Sequence, residues 1–377
     1  MMLLLGCIYS LTVGAEQSST QASLKELIAS SIAGLEAPST MSKLISVSAS
    51  HACQIHRSGA AQCWGENLKA ELGVGERSIA PIQVAIEVVP PLPTSDLAGV
   101  STGEAHSCAW TKSSGDLYCW GYTYGMEPTQ VLAGNGSSNP LSVLQATSLE
   151  YATCAITKDD LQIKCWGANS AGKCGVGYKS PIVNEPTPIA APQGVQFKQV
   201  VSMFRTACGL ATSGDVYCWG EYISPTPTLV KLPRPAVAVS AGASDQCALV
   251  DNGELYCWSS GVNAEKVENA PTYIQSIVVG KSAVYALLMG SGEVMGWGLG
   301  SFGKGGEQKQ QDSPVVVTRE TPGEIVGLAC AQSSDVCCIR YLSKASQCWG
   351  ENVNSLLGDG KPTPYGASRR LGKVTFG

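Results

Sequence analysis

Apolar residues along this chain fall in short runs broken by Gly, Asn, Asp, Ser and Pro. Val239-Ser240-Ala241-Gly242, Cys247-Ala248-Leu249 and Leu255-Tyr256-Cys257-Trp258 are one such succession, with a tight turn between the last two. Runs this short, apolar at both odd and even positions, predict strands covered on both faces. The succession recurs. Trp64, Trp120, Trp166, Trp219, Trp258, Trp297 and Trp349 sit in one frame at intervals of 39 to 56 residues, six of them preceded by Cys and six followed by Gly. That period matches one small sheet per repeat, so the chain is expected to be all-β: a seven-bladed β-propeller with one Cys/Trp-Gly repeat per blade.

A second Cys lies 10 or 11 residues before the first in six repeats, as Cys53/Cys63, Cys108/Cys119, Cys154/Cys165, Cys208/Cys218, Cys247/Cys257 and Cys337/Cys348. Setting Cys247 opposite Cys257 leaves Asp251-Asn252-Gly253 as a three-residue turn, with Gly where positive φ is needed. Counting outward from that turn places the two Cys at a non-hydrogen-bonded pair, about 4.5 Å apart at Cα and within reach of a disulfide. In the sixth repeat both columns change together, to Tyr285 and Gly296, as a bond between the columns requires. Cys174, Cys330 and Cys338 fall outside the pairs. Cys174 and Cys338 take small-residue positions, and a Cys330–Cys338 bond is an alternative, since the two flank one turn.

After Trp-Gly, repeats one, three and seven carry Glu66-Asn67, Ala168-Asn169 and Glu351-Asn352. These are followed by Leu72-Gly73-Val74-Gly75, Cys174-Gly175-Val176-Gly177 and Leu357-Gly358-Asp359-Gly360. The arrangement resembles the regulator of chromosome condensation repeat, in particular its Cys-bearing form in secreted bacterial proteins. The resemblance implies a propeller that binds other proteins through loops on one face. Type II β-lactamase inhibitory proteins, secreted propellers that cap an enzyme, are similar in fold and compartment. Repeats two, four and five depart after the Trp, with Tyr122-Thr123-Tyr124-Gly125-Met126, Glu221-Tyr222-Ile223-Ser224 and Ser259-Ser260-Gly261.

Sixteen Cys, used mostly in pairs, argue for an oxidising compartment. Residues 1–15 contain the apolar run Leu3 to Val13 and end in Val13-Gly14-Ala15, which has the form of a signal peptide cleaved before Glu16. Leu4-Leu5-Gly6-Cys7 equally has the form of a lipoprotein signal, with Cys7 acylated, and an uncleaved apolar tail is the third alternative. Residues 16–43 are a Ser-rich tether in which Ser23-Leu24-Lys25-Glu26 opens a short amphipathic helix, and residues 44–377 are the propeller. Its two ends are expected to meet in or beside one blade. A net charge of −5 and the lack of a basic tail exclude a nucleic-acid partner from the expectation and set nucleotide exchange on a nuclear GTPase aside.

No Ser/His/Asp set, phosphate loop or zinc spacing stands out, so no catalytic residue, cofactor or metal is expected and the chain is read as a non-enzyme. A hydrolase or lyase using the propeller mouth stays as a minor alternative. His51 and His106 share a column with Thr206, Asp245 and Asp335, which suits a hydrogen-bonding strand end. The candidate partner-binding residues are Tyr122, Tyr124 and Met126, with Asn135 to Pro140 and Val88 to Pro93 as further variable segments. The expected function is a secreted or envelope-tethered monomeric scaffold for a protein partner. The alternative is inhibition of a secreted or periplasmic enzyme.

Overall fold

The computed structural model describes residues 43–202, 204–302, 308–361 and 369–376. The expected signal peptide, the alternative of lipidation at Cys7 and the expected tether helix lie outside the described residues. Seven antiparallel sheets of four strands each are formed, every sheet from four consecutive strands in sequence order. The first strands of the sheets are Ile45–Val47, Leu97–Thr102, Val143–Ser148, Phe197–Ser202, Ala236–Ala241, Ile274–Val279 and Ile325–Cys330. Each touches the next, and the last touches the first, which closes a ring of seven blades.

Burial follows from that stacking. The second strands, such as His106–Thr111, Ala152–Thr157 and Val336–Tyr341, are buried at every residue, because each blade is covered by its neighbours on both faces. Fourth strands such as Gly125–Gln130 lie on the rim and are largely exposed. The Gly after each Trp bends the third strand. At Gly65, φ is 108° and a Cβ would stand 2.7 Å from the Ser50 carbonyl oxygen, so only Gly permits this approach. In the fifth blade Ser259 holds the position, and the third strand stops at Trp258.

Five hairpin disulfides join the expected column partners: Cys53–Cys63, Cys108–Cys119, Cys154–Cys165, Cys208–Cys218 and Cys247–Cys257. In each, the two residues face one another directly across the second and third strands of one blade. Their Cα atoms stand 4.1 Å apart, closer than the separation expected of an unbridged pair, because the bond draws the strands together. Cys63, Cys119, Cys165 and Cys218 are wholly buried on their third strands, so these bonds are cross-links inside the blades and take no part in a surface site.

In the sixth blade Tyr285 faces Gly296, and a Cβ at Gly296 would lie 2.9 Å from the Tyr285 ring: an aromatic laid over a glycine fills the volume the disulfide occupies elsewhere. The seventh blade corrects the expected pairing. Cys338, not Cys337, faces and bonds Cys348, while Cys337 bonds Cys330 on the first strand. Adjacent residues of a strand point to opposite faces, so the two bonds lie on opposite faces of the sheet and do not compete, one tying the second strand to the first and the other to the third. The shift also puts Val336, not Asp335, in the column of His51 and His106. Cys174 is buried and unbonded, and burial pushes its thiol up to about 12, which removes it as a nucleophile. Replacing Cys337 with Ser should expose one thiol, at Cys330, and leave Cys348 blocked in a mass-spectrometric alkylation map. Alkylated Cys348 would return the blade to the register read from the sequence.

The two ends meet beside one another, without sharing a blade. The fourth strand of blade seven is Arg369–Lys373. Beyond it, the Thr375 carbonyl accepts from the Ala85 amide of blade one at 2.9 Å, and Gly360 N–H donates to the Gln83 carbonyl at 3.0 Å.

Candidate functional site

The turns between first and second strands and those between third and fourth strands emerge at one end of the ring. The hairpins between second and third strands emerge at the other. The first of these ends carries the repeat motif, whose physical role is docking between blades. Trp120 Nε1 donates to the Glu71 carbonyl at 2.7 Å, Trp219 to Lys173 at 3.0 Å and Trp64 to Leu356 at 2.8 Å, each acceptor belonging to the preceding blade's Leu-Gly-x-Gly-type turn. A Cβ at Gly73, Gly175 or Gly358 would press into the same Trp rings at 2.7 to 2.9 Å. The motif of one blade is therefore the socket for the tryptophan of the next.

Blade two lacks that turn, and Tyr124 replaces it. Its hydroxyl accepts from Trp166 Nε1 at 2.7 Å and lies 3.4 Å from Thr153 Oγ1, and burial raises its pKa. Tyr124 is thus an inter-blade acceptor, separated in role from Tyr122 and Met126, which are 60% and 45% exposed. Tyr124→Phe leaves the buried Trp166 N–H without its partner and should cost about 1–3 kcal/mol of stability, read from denaturant midpoints, with any partner affinity of the folded protein unchanged. The other variable segments divide too. Asn135 to Pro140 lies toward the opposite end, with Asn135 N–H on Glu185, and Val88 and Leu92 are buried between blades one and two.

Tyr122 belongs to a continuous band across blades one to four. Its ring meets Tyr151 edge-on at 5.7 Å, and the Lys69 ammonium lies 6.0 Å and 5.3 Å from the two ring centres. Next in the chain to Tyr151, Glu150 binds Lys173 at 3.3 Å and Arg205 at 3.7 Å. Arg205 also pairs with Glu221 at 3.2 Å and lies 5.5 Å from the Phe204 ring, and Tyr222 is 83% exposed. Inside this band the loop Ala331–Asp335 of blade seven crosses the mouth of the ring. Ser333 Oγ donates to Glu104 of blade two at 2.9 Å and Gln332 Nε2 donates to the Ser202 carbonyl of blade four. The Cys330–Cys337 bond clamps the base of this loop. Burial, with Glu150 nearby, raises the pKa of Glu104.

The histidines are structural hydrogen-bonding groups. His51 Nε2 lies 2.7 Å from Ser107 Oγ, and His106 Nε2 lies 2.9 Å from Thr153 Oγ1, each pair crossing to the next blade. Where the next blade has Ala207, the column holds Ala152, so the His follows the hydroxyl it binds. Ser107 donates its proton to the Glu71 carbonyl at 2.9 Å, which makes His51 Nε2 the donor in their contact. A histidine that donates to a serine cannot take that serine's proton, so the pair does not form a nucleophile and base. Among the described residues no group of three or more His, Cys, Asp or Glu is placed to hold a metal, and no helix is long and apolar enough to cross a membrane.

No family model matches the chain. Among curated proteins it is 24% identical over 197 residues to the ultraviolet-B receptor UVR8 of Arabidopsis thaliana, covering 49% of this chain and 42% of that protein. It is 30% identical over 182 residues to the human E3 ubiquitin-protein ligase HERC2, covering 45% of this chain and 4% of that one. The chain thus matches less than half the length of either relative. Among solved structures, Prp20p of Saccharomyces cerevisiae superposes with a TM-score of 0.65 at 15% identity, over 90% of each chain. The CRINKLY WD40 ectodomain of the Arabidopsis thaliana receptor kinase ACR4 superposes at 0.55 and 16% identity, over 84% of this chain and 97% of that one. With seven blades, a Trp-Gly in nearly every third strand and Leu-Gly-x-Gly sockets for the next blade's tryptophan, this chain is a seven-bladed β-propeller, and its relatives and structural neighbours support repeats of the regulator of chromosome condensation type.

Proposed function

We propose that the chain is a secreted or envelope-tethered protein-interaction scaffold that engages a protein partner through the end of the ring bearing Tyr122, Met126, Phe204 and Tyr222. The observation that carries this reading is the exposed aromatic band itself. Aromatic and basic side chains held by a rigid scaffold are the composition of interface centres, and the Lys69 and Arg205 contacts fix their positions before any partner arrives. The seven disulfides support an oxidising environment, and the apolar run from Leu3 to Val13 supports reading that environment as one reached by export. Two related propeller structures support a protein as the ligand: one is described with its binding properties to Gsp1p and histones, the other is bound to Kap60.

A photo-crosslinking residue at position 122 should capture the partner in the native envelope or secretion fluid, whereas the same residue at position 266, on the rim strand of blade five, should not. Tyr122→Ser with Met126→Ser, Tyr124 being left in place, should then weaken binding by about 2 kcal/mol, roughly 30-fold, at unchanged melting temperature. Equal capture at both positions, or unaltered affinity, removes this face from the assignment. Loss of a captured enzyme's activity on binding would select the inhibitor alternative over the scaffold.

A further inference from the structure

At the opposite end of the ring, where blades seven and one close on each other, a small notch opens between the two blades' hairpins. Gln54, His56, Arg57, Arg340, Lys344 and Phe376 line it. Arg340 comes from the second strand of blade seven and is 8% exposed. Its Nε donates to the Ile55 carbonyl of blade one at 2.7 Å and its Nη1 to its neighbour's carbonyl, at Tyr341, at 2.8 Å. Those two bonds use two of the guanidinium's five N–H groups. Arg57 donates to the Ser343 carbonyl at 2.7 Å and is otherwise exposed. Among the described residues neither arginine has a carboxylate partner. Two nearby acids are engaged elsewhere, Glu320 with Lys344 at 2.6 Å and Glu324 with Ser343 at 2.6 Å, and the charge of Glu87 acts on His56.

A buried guanidinium without a counter-charge is costly, and its field reaches its neighbours: burial, together with the charges of Arg57 and Arg340, lowers the pKa of His56. We propose that this seam is a binding site for a carboxylate, received by the free N–H groups of Arg340 and by Arg57. The notch, about 10 Å³, has room for one water-sized group, so a carboxylate would enter by its oxygen edge with the rest of the ligand outside. A planar guanidinium offers paired donors at the spacing of carboxylate oxygens. Phe376, 44% exposed and edge-on to His56 at 5.0 Å, supplies an apolar wall for the carbon that bears the carboxylate. A free small acid and a Glu or Asp side chain of a partner share this chemistry. The site lies away from the aromatic band and stands or falls independently of it.

The test is an NMR titration of the full chain with ¹⁵N-labelled arginine, following the Arg340 Nε–H with acetate and, separately, with N-acetyl-Gly-Glu-Gly-amide. Saturable movement of that signal is expected with both. Tighter binding of the peptide identifies a protein side chain as the source, and equal binding a free small acid. Arg57→Ala, at an exposed position, gives up the bond to Ser343 but leaves the Arg340–Ile55 contact between the blades in place, and should weaken binding about fivefold. Arg340→Lys, followed through the Arg57 Nε–H signal, keeps the charge but loses the fork, and should weaken binding about tenfold while the protein still melts cooperatively. An Arg340 signal that does not saturate with acetate, or an Arg57→Ala protein that binds as the parent does, overturns the proposal.

Discussion

Lowering the pH from 7 to 5 should weaken the fold steeply, by up to about 1.4 kcal/mol per pH unit for each of two histidines. His51 and His106 are fully enclosed between blades. Burial, reinforced by the charge of His106, pushes His51 down to about 3, and burial, with Lys173 nearby, pushes His106 down to about 4. In the unfolded chain both titrate near 6.5. Below that pH the unfolded state holds protons that the folded state refuses, so stability that is complete above about 6.5 is lost progressively down to the folded values. Burial raises the pKa of Glu71 and of Glu104, which take up protons more readily when folded and offset part of the loss. The comparison that isolates the histidines is His51→Gln with His106→Gln: the glutamine amide nitrogen takes the place of Nε2, so it can still donate to Ser107 and Thr153, but it does not titrate. Urea midpoints at pH 7, 6 and 5 should fall clearly faster for the parent than for the double variant. Parallel lines would remove the buried neutral histidines as the cause.

The blade count, the Cys columns and the Trp-Gly bend were legible in the sequence because each is set by a local rule repeated many times. A disulfide needs facing positions on a hairpin, and a positive φ beside a backbone carbonyl needs glycine. The paired change to Tyr285 and Gly296 was legible for the same reason. Blade seven defeated that reading because Cys337 and Cys338 both lie at permitted distances from Cys348, and Cys337-Cys338-Ile339 imitates Cys154-Ala155-Ile156 of blade three. What decides the register there is the first strand: Cys330 has its partner only if Cys337 turns toward it. Spacing within a hairpin carries no information about a third strand.

The role of Tyr124 was hidden for a different reason. Tyr122, Tyr124 and Met126 look alike in composition, and the alternation along the chain does not say which side chain turns inward. The signal that could have found it is an absence: blade two has no Leu-Gly-x-Gly turn, yet blade three keeps Trp166, whose N–H needs an acceptor. In blade five the same absence has no substitute: blade four also lacks the turn, and among the described residues the buried Trp258 N–H finds no partner. The loop that crosses the mouth of the ring was not legible at all, because its contacts to blades two and four join residues 229 and 130 positions apart that share no repeat motif.

Removing residues 367–377 is expected to cost on the order of 5 kcal/mol and to open the ring. The deletion strips the fourth strand of blade seven, whose residues pair with Gln347–Glu351, and turns a covered third strand into an edge with unpaired N–H and C=O groups. It also removes Val374, 1% exposed and packed with Leu356, Leu357 and Trp64, for roughly 2 kcal/mol of lost burial. The bond from Ala85 to Thr375 goes with it, and with that bond part of the seam that joins the last blade to the first. Because each blade rests on its neighbours, damage at the closing seam should spread further than an equal loss on the rim of an interior blade. A matched deletion does not exist inside the ring, so the control is substitution on an interior rim strand: Glu265→Ala with Lys266→Ala in blade five, both exposed, should move the melting temperature little. Hydrogen exchange on the truncated protein should show blades one and seven losing protection first, at Ala52–Gln54 and Val336–Ile339, with blades three and four the last to open. Retained protection at those strands, with a melting curve like that of the full chain, would mean that closure rests on the Trp64 and Arg340 contacts and not on the terminal strand.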